Sequence, residues 1–133
     1  MSSRKNIKYT ILDDAAANGA GNSIQCTDFR HCVITVHASD TSDMNIKFQG
    51  SVADPGQDPD FESDSDRDND WSFVQVKNYS DGNAIVGSSG IVLATEGHHA
   101  QYEADINGLD YITAQIYSYV AGDVTVRISL YND

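Results

Sequence analysis

The chain is predicted to be all-β, an antiparallel two-sheet sandwich of the jelly-roll or immunoglobulin-like kind with about eight or nine short strands. Three observations predict it. Helical periodicity is nearly absent, apolar and polar residues alternate over runs of strand length, and turn residues recur about every ten positions. At 133 residues the chain has the size of one domain, residues 1–133, and is too short for two separate cores.

The elements follow in order. Residues 5–12 read as an N-terminal strand and residues 13–21, rich in alanine and glycine, as a small-residue loop. A short strand at 23–26 precedes one at 30–38 that buries Cys32, Ile34 and Val36. After a turn at 39–43, residues 44–51 bury Ile46 and Phe48. Residues 71–77 read as one strand, and 84–95 as a segment that Gly87 and Gly90 bend or bulge. A strand at 101–106 closes on Asn107-Gly108, a dipeptide suited to the positive φ angles of a tight turn. Residues 111–119 point Ile112, Ala114 and Ile116 inward and Tyr111, Thr113, Gln115 and Tyr117 outward. Residues 122–131 alternate most regularly, with Val124, Val126, Ile128 and Leu130 on one face and Thr125, Arg127, Ser129 and Tyr131 on the other. Ala121-Gly122-Asp123 is expected to join these last two as a hairpin.

Charge narrows the partners. The net charge is −12, which repels nucleic acid phosphate and anionic lipid, so no nucleic acid and no membrane is expected as a partner. Residues 54–70 hold eight of the twenty acidic residues, both prolines and one arginine. Such a segment supports neither strand nor helix and reads as a long acidic loop. Residues 1–9, by contrast, are basic through Arg4, Lys5 and Lys8, and read either as an arm that orders on a partner or as the first strand. No secretory apolar region follows Arg4 and Lys5, so synthesis in a host cytoplasm without Sec export is expected. Cys26 and Cys32 are then expected as reduced thiols, although a disulfide between them is geometrically feasible.

Few residues suggest chemistry. Asp64, Asp66, Asp68 and Asp70 alternate as ligands of a calcium loop do, but Asn69 stands where a glycine is needed and Gln75 where a closing glutamate is needed. The alternative is a solvated loop whose charges hold it extended, and no cofactor other than this calcium candidate is expected. His31 and His37 flank Cys32, but strand alternation sends them to the opposite face from it. His98 and His99 read as loop residues, and Glu103 and Asp105 as outward-facing carboxylates. The G-x-S-x-G, Walker A and H-E-x-x-H patterns are all missing from the sequence, and a non-enzyme is expected. Trp71, with Phe73 and Tyr79, reads either as a sugar-stacking platform or as core packing. Tyr111, Tyr117, Tyr119 and Tyr131 read either as cross-strand pairs or as one tyrosine-bearing contact face.

The ordered runs Phe48-Gln49-Gly50-Ser51, the acidic segment, Trp71 with its following strand, Asn107-Gly108-Leu109 and the final pair of strands form one pattern over residues 30–131. This pattern resembles small virion-associated β-sandwich proteins of tailed bacteriophages, of the head-decoration or cement type. The resemblance implies a structural protein located in the virion. It would act by contact, as a homo-oligomer such as a dimer or trimer, and bridge copies of a major capsid protein or another virion protein. Arg4, Lys5, Lys8 and the four outward tyrosines are the residues expected at that contact. Carbohydrate-binding sandwiches share much of the pattern, so a sugar-binding or receptor-binding module of a tail or fibre, using Trp71 and Tyr79, is the alternative.

Overall fold

A computed structural model describes residues 6–52 and 71–132. These residues form twelve strands in two antiparallel sheets. They are β1 (Ile7–Ala15), β2 (Gly19–Ala20), β3 (Ile24–Gln25), β4 (His31–Ala38), β5 (Asp43–Ser51), β6 (Trp71–Phe73), β7 (Val76–Asn78), β8 (Ala84–Ile85), β9 (Ile91–Ala94), β10 (His98–Asp105), β11 (Tyr111–Ala121) and β12 (Val124–Tyr131). The first sheet runs β1-β12-β4-β10-β7-β8. The second runs β2-β11-β5-β6, with β3 also on β11 and β9 also on β5. The fold class is the two-sheet sandwich that the alternation predicts.

The core lies between the sheets and follows the alternation closely. Cys32, Ile34 and Val36 of β4 and Val124, Val126, Ile128 and Leu130 of β12 close it from one side. Met44, Ile46 and Phe48 of β5 and Ile112, Ala114 and Ile116 of β11 close it from the other. Each strand has one apolar face, and burying that face against the opposite sheet removes it from water at about 25 cal/mol per Å².

Connectivity departs from the sequence expectation. β11 pairs with β5, β2 and β3, whereas β12 pairs with β4 and β1, so the last two strands do not form a hairpin. The turn after Ala121 instead arches from one sheet to the other, and so does the turn after Ala38. Both arches lie at one end of the sandwich and hold each other. The Ser39 N–H donates to the Asp123 carbonyl at 3.0 Å, and the Ser42 hydroxyl donates to the same carbonyl at 3.2 Å. Gly122 has φ +89°, and a Cβ there would come within 2.5 Å of the Ser42 Cα. Only glycine lets the two arches approach so closely.

The segment expected as one strand over 71–77 is two strands in different sheets, β6 and β7, with the chain crossing at Val74 and Gln75. Likewise 84–95 splits into β8 in the first sheet and β9 in the second, with Gly87 and Gly90 between them. Short strands that change sheets raise the count above the expected eight or nine. Of the basic N-terminal segment, Ile7 to Tyr9 belong to β1 and pair with β12, Ile7 opposite Leu130.

Candidate functional site

Burial inside the sandwich leaves three places where side chains gather: the outer face of each sheet and a cleft at the edge of the first. The register assembles the outer face of the first sheet row by row. Thr10, Arg127, Thr35 and Gln101 form one row across β1, β12, β4 and β10. Lys8, Ser129, Val33 and Glu103 form the next. Lys8 and Arg127 therefore lie diagonally on neighbouring strands, within about 8 Å in such a pairing. Both are exposed. A groove of about 480 Å³ runs between them, lined among others by Tyr9, Thr35, Gln101 and Ser129. Neither cation has an ion-pair partner among the described residues, whereas Lys77 at the far side holds Glu103 at 3.2 Å. In a chain of net charge −12, this groove is a local concentration of positive charge that no described acidic residue pairs.

Four histidines flank the same sheet. His31 and His37 point outward from β4 while Cys32 points into the core, as the alternation requires, so they do not share a site with the thiol. His98 and His99 are strand residues of β10 and not loop residues, so they face opposite ways. His98 Nε2 lies 2.7 Å from the hydroxyl of Tyr102. Burial lowers the pKa of His98 from its ordinary 6.5, opposed by the Glu96 carboxylate and reinforced by His99. His99 lies opposite His37, and their rings stack with centroids 5.0 Å apart. Among the described residues no three His, Cys, Asp or Glu side chains converge on a point.

The outer face of the second sheet is aromatic and amide-rich. Trp71, Ser51 and Tyr111 form one row, and Phe73, Gln49 and Thr113 the next. Lys47 with Gln115, and Asn45 with Tyr117, continue it. The Lys47 ammonium sits 3.8 Å from the Tyr117 ring centroid and 5.3 Å from that of Phe73, a cation–π arrangement. Gln49 and Gln115 are buried although they point away from the core, and the side-chain oxygen of each has no hydrogen-bond partner among the described residues. The sequence alternation correctly turns Thr113 and Gln115 away from the core, but it does not reveal their burial.

The cleft, of about 680 Å³, opens where the edge of the first sheet meets the β6–β7 crossing. Its polar groups include Lys77, Glu103, Asp105 and Asn107, and His31 and Tyr131 meet beside it with ring centroids 5.6 Å apart. Glu103 and Asp105 face outward as expected, the first half-buried against Lys77 and the second exposed.

Several expected site residues are not brought together. Tyr111, Tyr117 and Tyr119 belong to the second sheet and Tyr131 to the first, so the four tyrosines share no face. Tyr119 instead donates its hydroxyl to the Gly122 carbonyl at 2.8 Å and packs on the core. Trp71 and Tyr79 do not form one platform, because Trp71 is only 7 % exposed in the second sheet while Tyr79, 60 % exposed, follows β7 in the first. Cys26 and Cys32 are both free and buried. Arg4, Lys5, Asp64, Asp66 and Asp68, with Asp70, lie outside the described residues. Sequence reasoning missed Arg127, whose role depends on the β1–β12 pairing across the whole chain, and the His37–His99 pair, which depends on the β4–β10 register.

No protein-family model and no curated protein sequence matches the chain. Solved structures resemble it over nearly its whole length, among them two prophage proteins. The SPBc2 prophage-derived protein YomS superposes with a TM-score of 0.73 at 19 % identity, covering 99 % of this chain and 97 % of that one. The PBSX exported protein XepA superposes with a TM-score of 0.73 at 16 % identity, covering 99 % of this chain and 39 % of that one. This chain thus has the fold of the whole of YomS and of one part of XepA.

Proposed function

We propose that the protein is a phage-encoded, non-catalytic contact protein of the virion, a capsid decoration protein that binds an acidic surface of a neighbouring virion protein through the outer face of its first sheet. The observation that carries this reading is the groove between Lys8 and Arg127, two exposed cations with no described partner on a strongly acidic chain. Full-length likeness to a prophage-derived protein supports the phage association. A rigid sheet face carrying unpaired charge suits electrostatic docking, which speeds encounter and sets orientation more than it adds affinity. Repetition over a lattice then multiplies a modest affinity. The major capsid protein is the proposed partner, with assembly as a small homo-oligomer. The chain needs no cofactor for this role.

A second reading, a sugar-binding or receptor-binding module, is favoured by the Phe73–Lys47–Tyr117 arrangement on the outer face of the second sheet. Apolar sugar faces stack on aromatic rings. The two readings separate in one experiment. Lys8→Glu with Arg127→Glu removes binding to capsids lacking the protein and leaves a glycan panel unaffected under the first reading. Under the second, Phe73→Ala with Tyr117→Ala abolishes glycan binding, and the charge reversals change nothing.

A further inference from the structure

The stacked histidines on the outer face of the first sheet are used by neither reading. His37 and His99 sit directly opposite each other on β4 and β10, which pair without a register break from His31 with Asp105 to Ala38 with His98. Directly opposed residues of an antiparallel pair hold their Cβ atoms about 4.5–5.5 Å apart, and here the ring centroids are 5.0 Å apart with planes tilted by 27°. Both side chains are exposed, so their ring nitrogens are open to solvent. From this geometry we propose that His37 and His99 form a two-imidazole binding site for a borderline divalent cation of the zinc, nickel and copper type.

The chemistry favours that class over others. Imidazole nitrogen is a ligand of borderline metals, whereas calcium and magnesium take oxygen. A modest rotation of each ring brings one nitrogen from each onto a common point about 2.0–2.1 Å away, the usual zinc–imidazole distance. The eight-pair ladder fixes both backbones beforehand, so little chain entropy is lost on binding. Beyond Tyr102 toward His98, β10 has no ladder partner opposite β4 among the described residues, because β7 pairs only with Tyr102 and Glu103. A cleft of about 350 Å³ opens there beside His99, lined by Asn78, Tyr79, Ser80 and Gln101. That space accommodates the remaining ligands of the ion. With no third His, Cys, Asp or Glu converging among the described residues, the protein supplies two ligands and water supplies the rest. The site binds by capture at the surface, distinct from a buried structural metal that the fold depends on.

The test is calorimetric titration of the full, untagged chain with zinc chloride, in a buffer that also holds millimolar calcium to occupy carboxylate sites. The expected result is one zinc bound per chain, weakened about tenfold or more in His37→Ala and in His99→Ala, since each leaves a single imidazole. His31→Ala, which removes an imidazole outside the pair, retains full binding. Copper binds tighter than nickel or zinc to the same pair. All five chains, the His37→Ala/His99→Ala double variant included, are compared by circular dichroism, and both ligand positions are exposed, so the folded state survives substitution. Zinc binding of equal strength in the His37→Ala/His99→Ala double variant overturns the proposal, as does an unchanged baseline on titration of the natural chain.

Discussion

Two buried residue types carry consequences that solution chemistry can read. Burial pushes the Cys32 thiol up to about 12, with the nearby Cys26 adding to the shift. Burial, reinforced by the Asp110 carboxylate, pushes Cys26 up to about 11. The thiolate is the reactive form, so at neutral pH both cysteines are inert in the native protein. A thiol reagent added to the folded chain at pH 7.5 is expected to label neither, and two equivalents are expected to react once the chain is unfolded in denaturant. Rapid labelling of the folded chain would contradict this placement. His98 works in the opposite direction, through acid. Its folded pKa lies below the ordinary 6.5, so the unfolded chain binds the proton more readily and stability rises with pH. Its contribution is present above about pH 6.5 and declines as the pH falls below the unfolded value. Denaturant midpoints measured from pH 7.5 to 5 are expected to fall, and His98→Gln is expected to flatten that part of the slope.

Elements show where the sequence was legible and where it was not. The alternation in β4, β5 and β12 identified the inward residues, and Ile34, Ile46 and Ile128 are fully or almost fully buried. Period-two patterning reports which face of a strand is apolar, and that information is local. It does not report which strand lies alongside. Ala121-Gly122-Asp123 has the composition of a hairpin turn, yet it serves an arch, because β11 and β12 bury their apolar faces toward each other across the sandwich and not side by side. The break at Val74 and Gln75 was equally hidden, since a continuous run of strand-forming residues gives no sign of a change of sheet. Of the candidate site, Lys8 was legible from charge, but Arg127 and the His37–His99 pair required knowledge of register. Packing across the sheets makes a direct prediction for the elements. Ile46→Ala in β5 and Ile128→Ala in β12 are each expected to cost about 2–5 kcal/mol by urea denaturation, since each leaves a cavity between rigid sheets. A cost below about 1 kcal/mol at either would mean that the two sheets are not closely packed there.

At the scale of the whole molecule, the arrangement separates roles between the two outer faces. The second sheet's outer face is aromatic, its polar groups largely buried, and Lys47 is engaged with rings. The first sheet's outer face is hydrophilic, and of its cations Lys77 is held by Glu103 while Lys8 and Arg127 stand without acidic partners among the described residues. The strands that build its groove come from both ends of the chain and from β4, since β1 pairs with β12 and β12 with β4. The groove therefore exists only in the completed fold, which is why a basic N-terminal segment alone gives no picture of it. Long-range field and local patch also act at different distances. The net charge of −12 opposes approach to polyanions, but beyond about 8–10 Å at physiological salt it is screened, and the local cations decide the docked contact.

The most direct test of this account is the binding of the purified protein to phage capsids that lack it, measured by cosedimentation for the natural chain and for Lys8→Glu/Arg127→Glu at equal folding stability. The account predicts saturable binding at hundreds of copies per particle for the natural chain, and a loss of about tenfold or more in affinity for the charge-reversed variant. Equal binding by both chains, or no binding of the natural chain to the particle, would contradict it.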